Sequence, residues 1–232
     1  MNSRTLLILA NSWKKGGRCV AGRRASIDGE RVRLGEWIRP VAPSALGDEG
    51  ELLGSDCEIA PERQVKPLDI VEVPLAHPAP KEGQPENHEI VPGHRWRYRG
   101  SIQKGSLDRL AESPDGLWDT DPIRTDRVAV SDVRCMDKSS SLVVIRPRAF
   151  HVQLRQKAYG GYQWRGCFEY GTNSYDLSIT DDVFRNEMSP TLGSRSEFVP
   201  PFGDRCLLCI SLGGAFGDFH YKLVAAVIRD FD

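Results

Sequence analysis

The sequence has no excess charge of either sign: its 31 Lys and Arg face 32 Asp and Glu, for a formal net charge of -1. That excludes a polycation binding nucleic acid through overall charge. No apolar run approaches the ~20 residues that span a bilayer. The early run TLLILA is soon followed by charged residues, so it reads as a strand and not as a leader. The cytosol is the expected compartment. The histidines, His77, His88, His94, His151 and His220, form no HExxH, and no GxSxG elbow is present. No sharp internal repeat is visible.

The six cysteines lack a complete metal-site pattern. Cys206 and Cys209 form one CxxC, but a second is missing. Both lie in DRCLLCISL, which reads as a buried strand, where positions three apart point to opposite faces. A chelating pair needs both thiolates on one side. Small buried hydrophobes in a reducing compartment are the expectation. Cys19, beside Arg18, reads as a core residue of an apolar strand, with no orienting His identifiable.

What is present is strand pattern. Runs rich in Val, Ile and Leu, bounded by Gly, Pro and Asp, fall at 5–12, 18–25, 31–41, 69–76 and 94–100. In the second half they fall at 127–134, 141–155, 162–171, 173–180, 205–212 and 221–230. Short helices are predicted over Ser106–Ala111, capped by Ser106, and over Asp181–Met188. The chain is mostly β, as a sandwich or small barrels. A first unit is expected over 1–100, a connecting segment over 101–126 and a second unit over 127–232.

The near-zero net charge hides blocks. Residues 1–39 carry +6, residues 40–92 carry -8 and residues 134–165 carry +6. The basic blocks include Trp13 and Trp37, then Phe150, Tyr159, Tyr162 and Trp164. Cations that track phosphates among rings that stack on bases would make a nucleic-acid groove. Solvated strand faces give the same pattern.

Two glycine clusters join strands. NSWKKGGRCVAG (11–22) has no following helix, so it is no P-loop. Its backbone N–H groups and Lys14 can still approach a phosphodiester, while Gly16 and Gly17 supply positive φ for the turn. SLGGAFGDFHYK (211–222) reads as a hairpin tip. Its Phe216, Phe219 and Tyr221 are expected to close a barrel end rather than stack on a base. Asp176, Asp181 and Asp182 suit a helix cap better than a metal. In HPAPKEGQPENHEI (77–90), Gln84, Glu86 and Asn87 either contact base edges or fix the loop.

ILANSWKKGGRCVAG, WIRPV, LDIVEVPL and QPEN in the first half, with YDLSITD, CLLCISLGG and YKLVAAVI in the second, resemble the bacterial dual OB-fold family. The resemblance touches both halves. It implies two tandem OB-like small β-barrels and a nucleic-acid sensor or adaptor of prokaryotic conflict or mobile-element systems.

The resulting expectation is a non-enzymatic binder of single-stranded DNA or RNA, without cofactor or metal. Lys14, Lys15, Arg18, Arg23 and Arg39 would hold phosphates in the first barrel. Arg146, Arg148, Arg155 and Arg165 would do so in the second. Trp13, Tyr162 and Trp164 would stack. A nuclease, helicase or ATPase is the expected protein partner. The alternatives are a protein adaptor that binds no nucleic acid, and a metal-dependent nuclease using Asp176, Asp181 and Asp182.

Overall fold

The structure is a computed structural model that describes residues 2–14, 16–29, 31–43, 50–102, 107–133, 140–158, 160–192 and 195–229. It divides into two compact units, Met1–Gln103 and Lys104–Asp232.

The first unit contains β1 (Asn2–Lys14), β2 (Gly17–Asp28), β3 (Arg31–Val41), β4 (Glu58–Ala60), β5 (Arg63–Gln64), β6 (Asp69–Pro78), β7 (Asn87–Ile90) and β8 (Arg97–Ser101). Strands β1-β2-β3-β7-β6 follow one another and β6 returns to β1, which closes a barrel. Pairing is antiparallel except between β3 and β7. This order is that of an OB barrel. One long strand makes closure possible. Residues Asn2–Leu7 of β1 pair with β6, and Leu6–Lys14 pair with β2, with a register shift at Ile8/Ala10. Gly22 sits at this crossing, where a Cβ would fall 2.3 Å from the Leu7 carbonyl oxygen. No larger residue fits without moving backbone.

Alternation along the strands turns Leu6, Ile8, Val20, Ile38, Val71 and Val73 into the barrel. Between β3 and β6, a 3-10 turn at Gly54–Cys57 and the β4–β5 hairpin occupy the place of an OB helix. Leu52, Cys57 and Val65 from this segment fill the core. Burial pushes the Cys57 thiol up to about 12.

The second unit contains β9 (Arg127–Ala129), α1 (Val130–Val133), β10 (Leu142–Ile145), β11 (Arg148–Gln156), β12 (Tyr162–Tyr170), β13 (Asn173–Ile179), α2 (Asp182–Leu192), β14 (Glu197–Phe198), β15 (Cys206–Phe216) and β16 (Phe219–Arg229). The order β10-β15-β16-β13-β12-β11, with β13 parallel to β16, repeats the first barrel. Here the first OB strand is divided. The run 141–155, read as one strand, breaks at Arg146 and Pro147. Proline cannot donate to a ladder. Asp204 instead accepts from the Ala149 and Phe150 amides at 3.1 and 2.8 Å, where Ala149 has φ +51°. The run 127–134 is likewise not one strand, since β9 passes into the helical turn α1.

Helix α2 runs to Leu192, beyond the expected Met188. Asp181 caps it by accepting from the Phe184 amide at 2.9 Å. Its other oxygen accepts from Val227 of β16 at 2.9 Å, which ties the helix to the barrel. The cap reading of Asp181 therefore holds. Phe184 plugs the core beside Trp164, Phe168 and Leu177. Cys206 faces this core with Leu208 and Ile210, and Cys209 is equally buried. Burial pushes the Cys206 thiol up to about 12, which suits the reading as a hydrophobe.

Residues 107–126, read as part of a connector, pack into the second unit. A 3-10 turn at Leu107–Leu110 replaces the helix expected at Ser106–Ala111, and Ser106 itself lies outside the described residues. Leu117 joins the core. Asp119 accepts from the buried Lys222 ammonium at 2.6 Å, from Asn173 at 3.2 Å and from the Leu117 amide at 3.0 Å, and from the Tyr175 hydroxyl. Burial pushes the Asp119 carboxyl up, but Lys222 and Tyr175 outweigh it and hold it below its ordinary range. Burial pushes the Lys222 ammonium down and the Tyr175 phenol up to about 12.

Removing one partner of such a pair strands a buried charge. Asp119→Ala or Lys222→Ala should each lower stability by about 3–5 kcal/mol. The paired change Asp119→Leu with Lys222→Met should cost far less. Urea unfolding of the three variants checks this; equal losses in all three would refute it.

Candidate functional site

OB barrels bind ligands on the outer face of their second and third strands and through the loops joining strands one to two and four to five. In the second unit that face is β12 and β13, edged by β11. Val152, Trp164, Phe168, Tyr175 and Leu177 point into the core. Alternation and register then place Gln153 and Arg155 of β11, Gln163 and Arg165 of β12, and Asp176 and Ser178 of β13 outside.

These side chains form one hydrogen-bonded ladder centred on Asp176. Arg165 donates through Nε to Asp176 Oδ1 at 2.7 Å and through Nη1 to Ser178 Oγ at 2.9 Å. Arg155 donates to Asp176 Oδ2 and, at 3.2 Å, to Gln153. Gln163 donates to Ser178 at 2.8 Å. The two arginines differ in availability: the Arg165 side chain is 13% exposed, that of Arg155 50%. Burial pushes the Asp176 carboxyl up, but hydrogen bonds and charge from Arg165 and then Arg155 hold it below its ordinary value.

Tyr162, at the start of β12, is 59% exposed. It stands beside the strand one–two loop, where Lys157, Gly160 and Gly161 form a turn closed by the Lys157 amide on the Gly161 carbonyl at 3.0 Å. Tyr159 lies outside the described residues. Arg155 and Tyr162 thus stand at one end of the barrel, with Tyr162 on the side of β12 that carries Trp164 and exposed where the strand leaves the core. Arg148 pairs with Glu169 at 3.7 Å and donates to the Gly171 carbonyl at 3.0 Å, at the far end of β11. Arg148 lies opposite Glu169 and Arg155 opposite Gln163, six steps along β12 or about 20 Å. Arg146 pairs with Asp108 at the strand break. Arg146 and Arg148 therefore do not join Arg155.

Trp164 corrects the sequence expectation. It is 9% exposed and packs edge-on against Phe184 and Phe198, with ring centroids 6.3 and 6.2 Å apart. No base can reach its face. Its position in β12, between the outward Gln163 and Arg165, gives it the inward side.

The first unit overturns more. Arg39 is 4% exposed and paired with buried Glu86 at 3.0 Å, with Nη1 3.6 Å from the Cys19 sulfur. A guanidinium so desolvated and engaged is structural, not a phosphate ligand. Glu86, Gln84 and Asn87 are themselves buried, so of the two readings for this loop the fixing role holds. Arg23 is half-buried, donating to the Gly35 carbonyl at 2.7 Å. Arg18 stacks its guanidinium 5.6 Å from the ring centre of Trp13, which is 48% exposed. Its backbone N–H and C=O bond to Leu52 at 2.7 and 3.0 Å, so that amide is not available to a phosphate. Gly16 has φ +87°, as the turn requires, but Gly17 serves close approach, since a Cβ there would lie 2.7 Å from Glu51 Cβ. Lys15 lies outside the described residues, as does the side chain of Lys14.

One cationic strip was passed over by the charge-block reading. On β8, Arg97, Tyr98 and Arg99 are exposed, and Arg63 lies 4.3 Å over the Tyr98 ring. The segment HRWRYRG holds three arginines and no acid, a signal that windows ending at residue 92 omit. Arg99 pairs with Glu72, and Arg63 with Asp69 at 3.4 Å, so the strip is partly neutralised.

The topology defines a protein of two OB-like barrels in tandem. The chain belongs to the dual OB-containing domain family, whose model matches residues 4–227. No curated protein matches the sequence. Among solved structures it is similar to a crystal structure of the p204 HINb domain, at 9% identity and TM-score 0.32, covering 98% of this chain and 97% of that one. The tetrameric p202 HIN2 gives 8% identity and TM-score 0.30, covering 98% and 92%. A murine DNA-binding protein bound to double-stranded DNA gives 8% and 0.30, covering 99% and 100%. No helix among the described residues is long and apolar enough to cross a membrane.

The Asp176 ladder has a pH signature. A free Asp titrates near about 3.9. Because Asp176 is held below its ordinary value, it contributes stability above the unfolded pKa, lost as pH falls through the lower folded one. Asp176→Asn should therefore flatten the acid limb of melting temperature against pH. An identical acid limb in the variant would remove the ladder as its source.

Proposed function

We propose that this chain is a non-enzymatic nucleic-acid-binding protein whose second barrel engages a single strand of DNA or RNA. The observation that supports the reading most is the ladder on the outer face of β11, β12 and β13. It presents exposed Arg155, two amide side chains and Ser178 where OB barrels take oligonucleotides. Tyr162 adds an exposed ring beside the adjoining loop.

A single strand suits this face because its bases are open to stacking while its phosphates meet isolated cations. The near-zero net charge fits such a local contact better than wrapping of a duplex. A role as sensor or adaptor in a prokaryotic conflict system would pair this binding with a nuclease, helicase or ATPase, and co-purification of such a partner checks it.

Fluorescence anisotropy with labelled single-stranded DNA, single-stranded RNA and duplex DNA, at low and moderate salt, tests the reading. Salt-sensitive binding to a single strand is expected. Arg155→Gln should weaken it several-fold and lower the salt slope by about 0.7, one phosphate contact on a single strand. An unchanged slope takes Arg155 out of the interface. Binding to none of the three would leave a protein adaptor as the reading.

A further inference from the structure

The β15–β16 hairpin does not close a barrel end, as the sequence suggests; its tip projects. Phe216 pairs directly with Phe219 across the turn Gly217–Asp218, where Gly217 has φ +60°. β9 lies along the other side of β16, with Arg127 opposite Tyr221 and Ala129 opposite Phe219. The tip is therefore a small three-stranded sheet with two unlike faces. His220, Val128 and Lys222 are buried on one, where Leu212 and Val133 complete an apolar cluster against Trp118.

The other face carries Phe216, Phe219, Tyr221 and Arg127. Phe216 is 74% exposed, more than any other aromatic residue described. Its ring centroid lies 6.5 Å from that of Tyr221. Arg127 stands 5.5 Å over Phe219 and 4.8 Å over Tyr221, held in place by Asp126 at 2.8 and 2.9 Å. Arg124 lies 5.9 Å over Phe219 and is 59% exposed. Three rings and two guanidinium groups are thus gathered on one face, with Arg124 also paired to Asp121 at 3.8 Å. Water solvates an exposed Phe face poorly, and most of the Phe216 surface stays in water despite the Tyr221 contact.

We propose that this face of the hairpin tip is a base-stacking platform, with Phe216 receiving an unpaired nucleobase and Arg124 the adjoining phosphate. The proposal rests on the nucleic-acid reading given above. The tip is the loop joining the fourth and fifth OB strands, the second of the two loops that flank an OB ligand face. A single strand lying along the Asp176 ladder would leave the face at this loop or at the Tyr162 end.

The test uses the full chain and single-stranded DNA and RNA oligonucleotides, each also made with abasic sites. Phe216→Ala should weaken binding of the base-bearing strands about 5- to 150-fold, the range of one base–aromatic stack. It should leave the abasic strands unaffected. Phe216→Trp should retain affinity and show quenching of the added indole. The high exposure of Phe216 means both variants should melt as the parent does. Equal weakening of base-bearing and abasic strands would overturn the platform. So would unchanged binding by Phe216→Ala in the presence of a clear Arg155→Gln defect, which leaves the β12–β13 reading standing. If the parent protein binds no strand at all, both readings fall together.

Discussion

Both units depend on one constraint: the ring of five strands closes because the first strand pairs with the fourth along one half and with the second along the other. The first strand must therefore change direction or break between its two halves. The first barrel does this with a register shift at Ile8/Ala10 and with Gly22, which lets backbone pass at contact distance. The second does it by breaking the strand at Pro147 and giving the amides after the break to Asp204. Two different sequence devices thus reach the same topology. The inward and outward sides of every later strand follow from where that bend falls, so the candidate face is an outcome of closure as much as of the residues on it.

Closure also explains how charge is managed. Small barrels have little interior, and outward strand faces must carry whatever charge the sequence holds. Here cations are mostly matched at short range: Arg155 and Arg165 by Asp176, Arg99 by Glu72, Arg39 by Glu86, Lys222 by Asp119. These pairs are not equivalent. Those of Arg39 and Lys222 are desolvated and fix the fold, whereas Arg155 keeps half of its side-chain surface in water. Only the second kind can exchange a carboxylate for a phosphate at modest cost. The formal charge of a block says nothing about which kind it contains.

This separates what was legible in the sequence from what was not. The strand over 31–41 and the cap at Asp181 were legible because alternation and capping are local rules. The inward position of Trp164 was in principle readable from its spacing to Val152 and Phe168 once register is known, but register is a long-range property. Arg39 was unreadable, because Glu86 lies 47 residues away and joins it only through the parallel β3–β7 pairing. The run 141–155 looked continuous because its apolar pattern resumes after Pro147. Residues 107–126 looked like a connector because their hold on the second unit is made of single contacts, such as Leu117 and Asp119, and not of a periodic pattern.

The two faces of the β15–β16 tip carry this contrast furthest. Adjacent residues along β16 alternate between a wholly buried His220 and the half-buried Phe219 and Tyr221. The buried side is what keeps the tip standing: Lys222 is locked to Asp119, and His220 bonds through Nδ1 to the Gly213 carbonyl at 2.8 Å. Gly213 itself lies at the register shift between Leu212 and Ala215, where a Cβ would press to 3.3 Å on the Tyr221 carbonyl oxygen. The shift turns the end of the hairpin, so Phe216 lands beside Phe219 instead of returning to the core. An apolar ring is thus held in water on a buried, hydrogen-bonded base. A platform held in place in this way lowers the ordering cost of any ligand that stacks there.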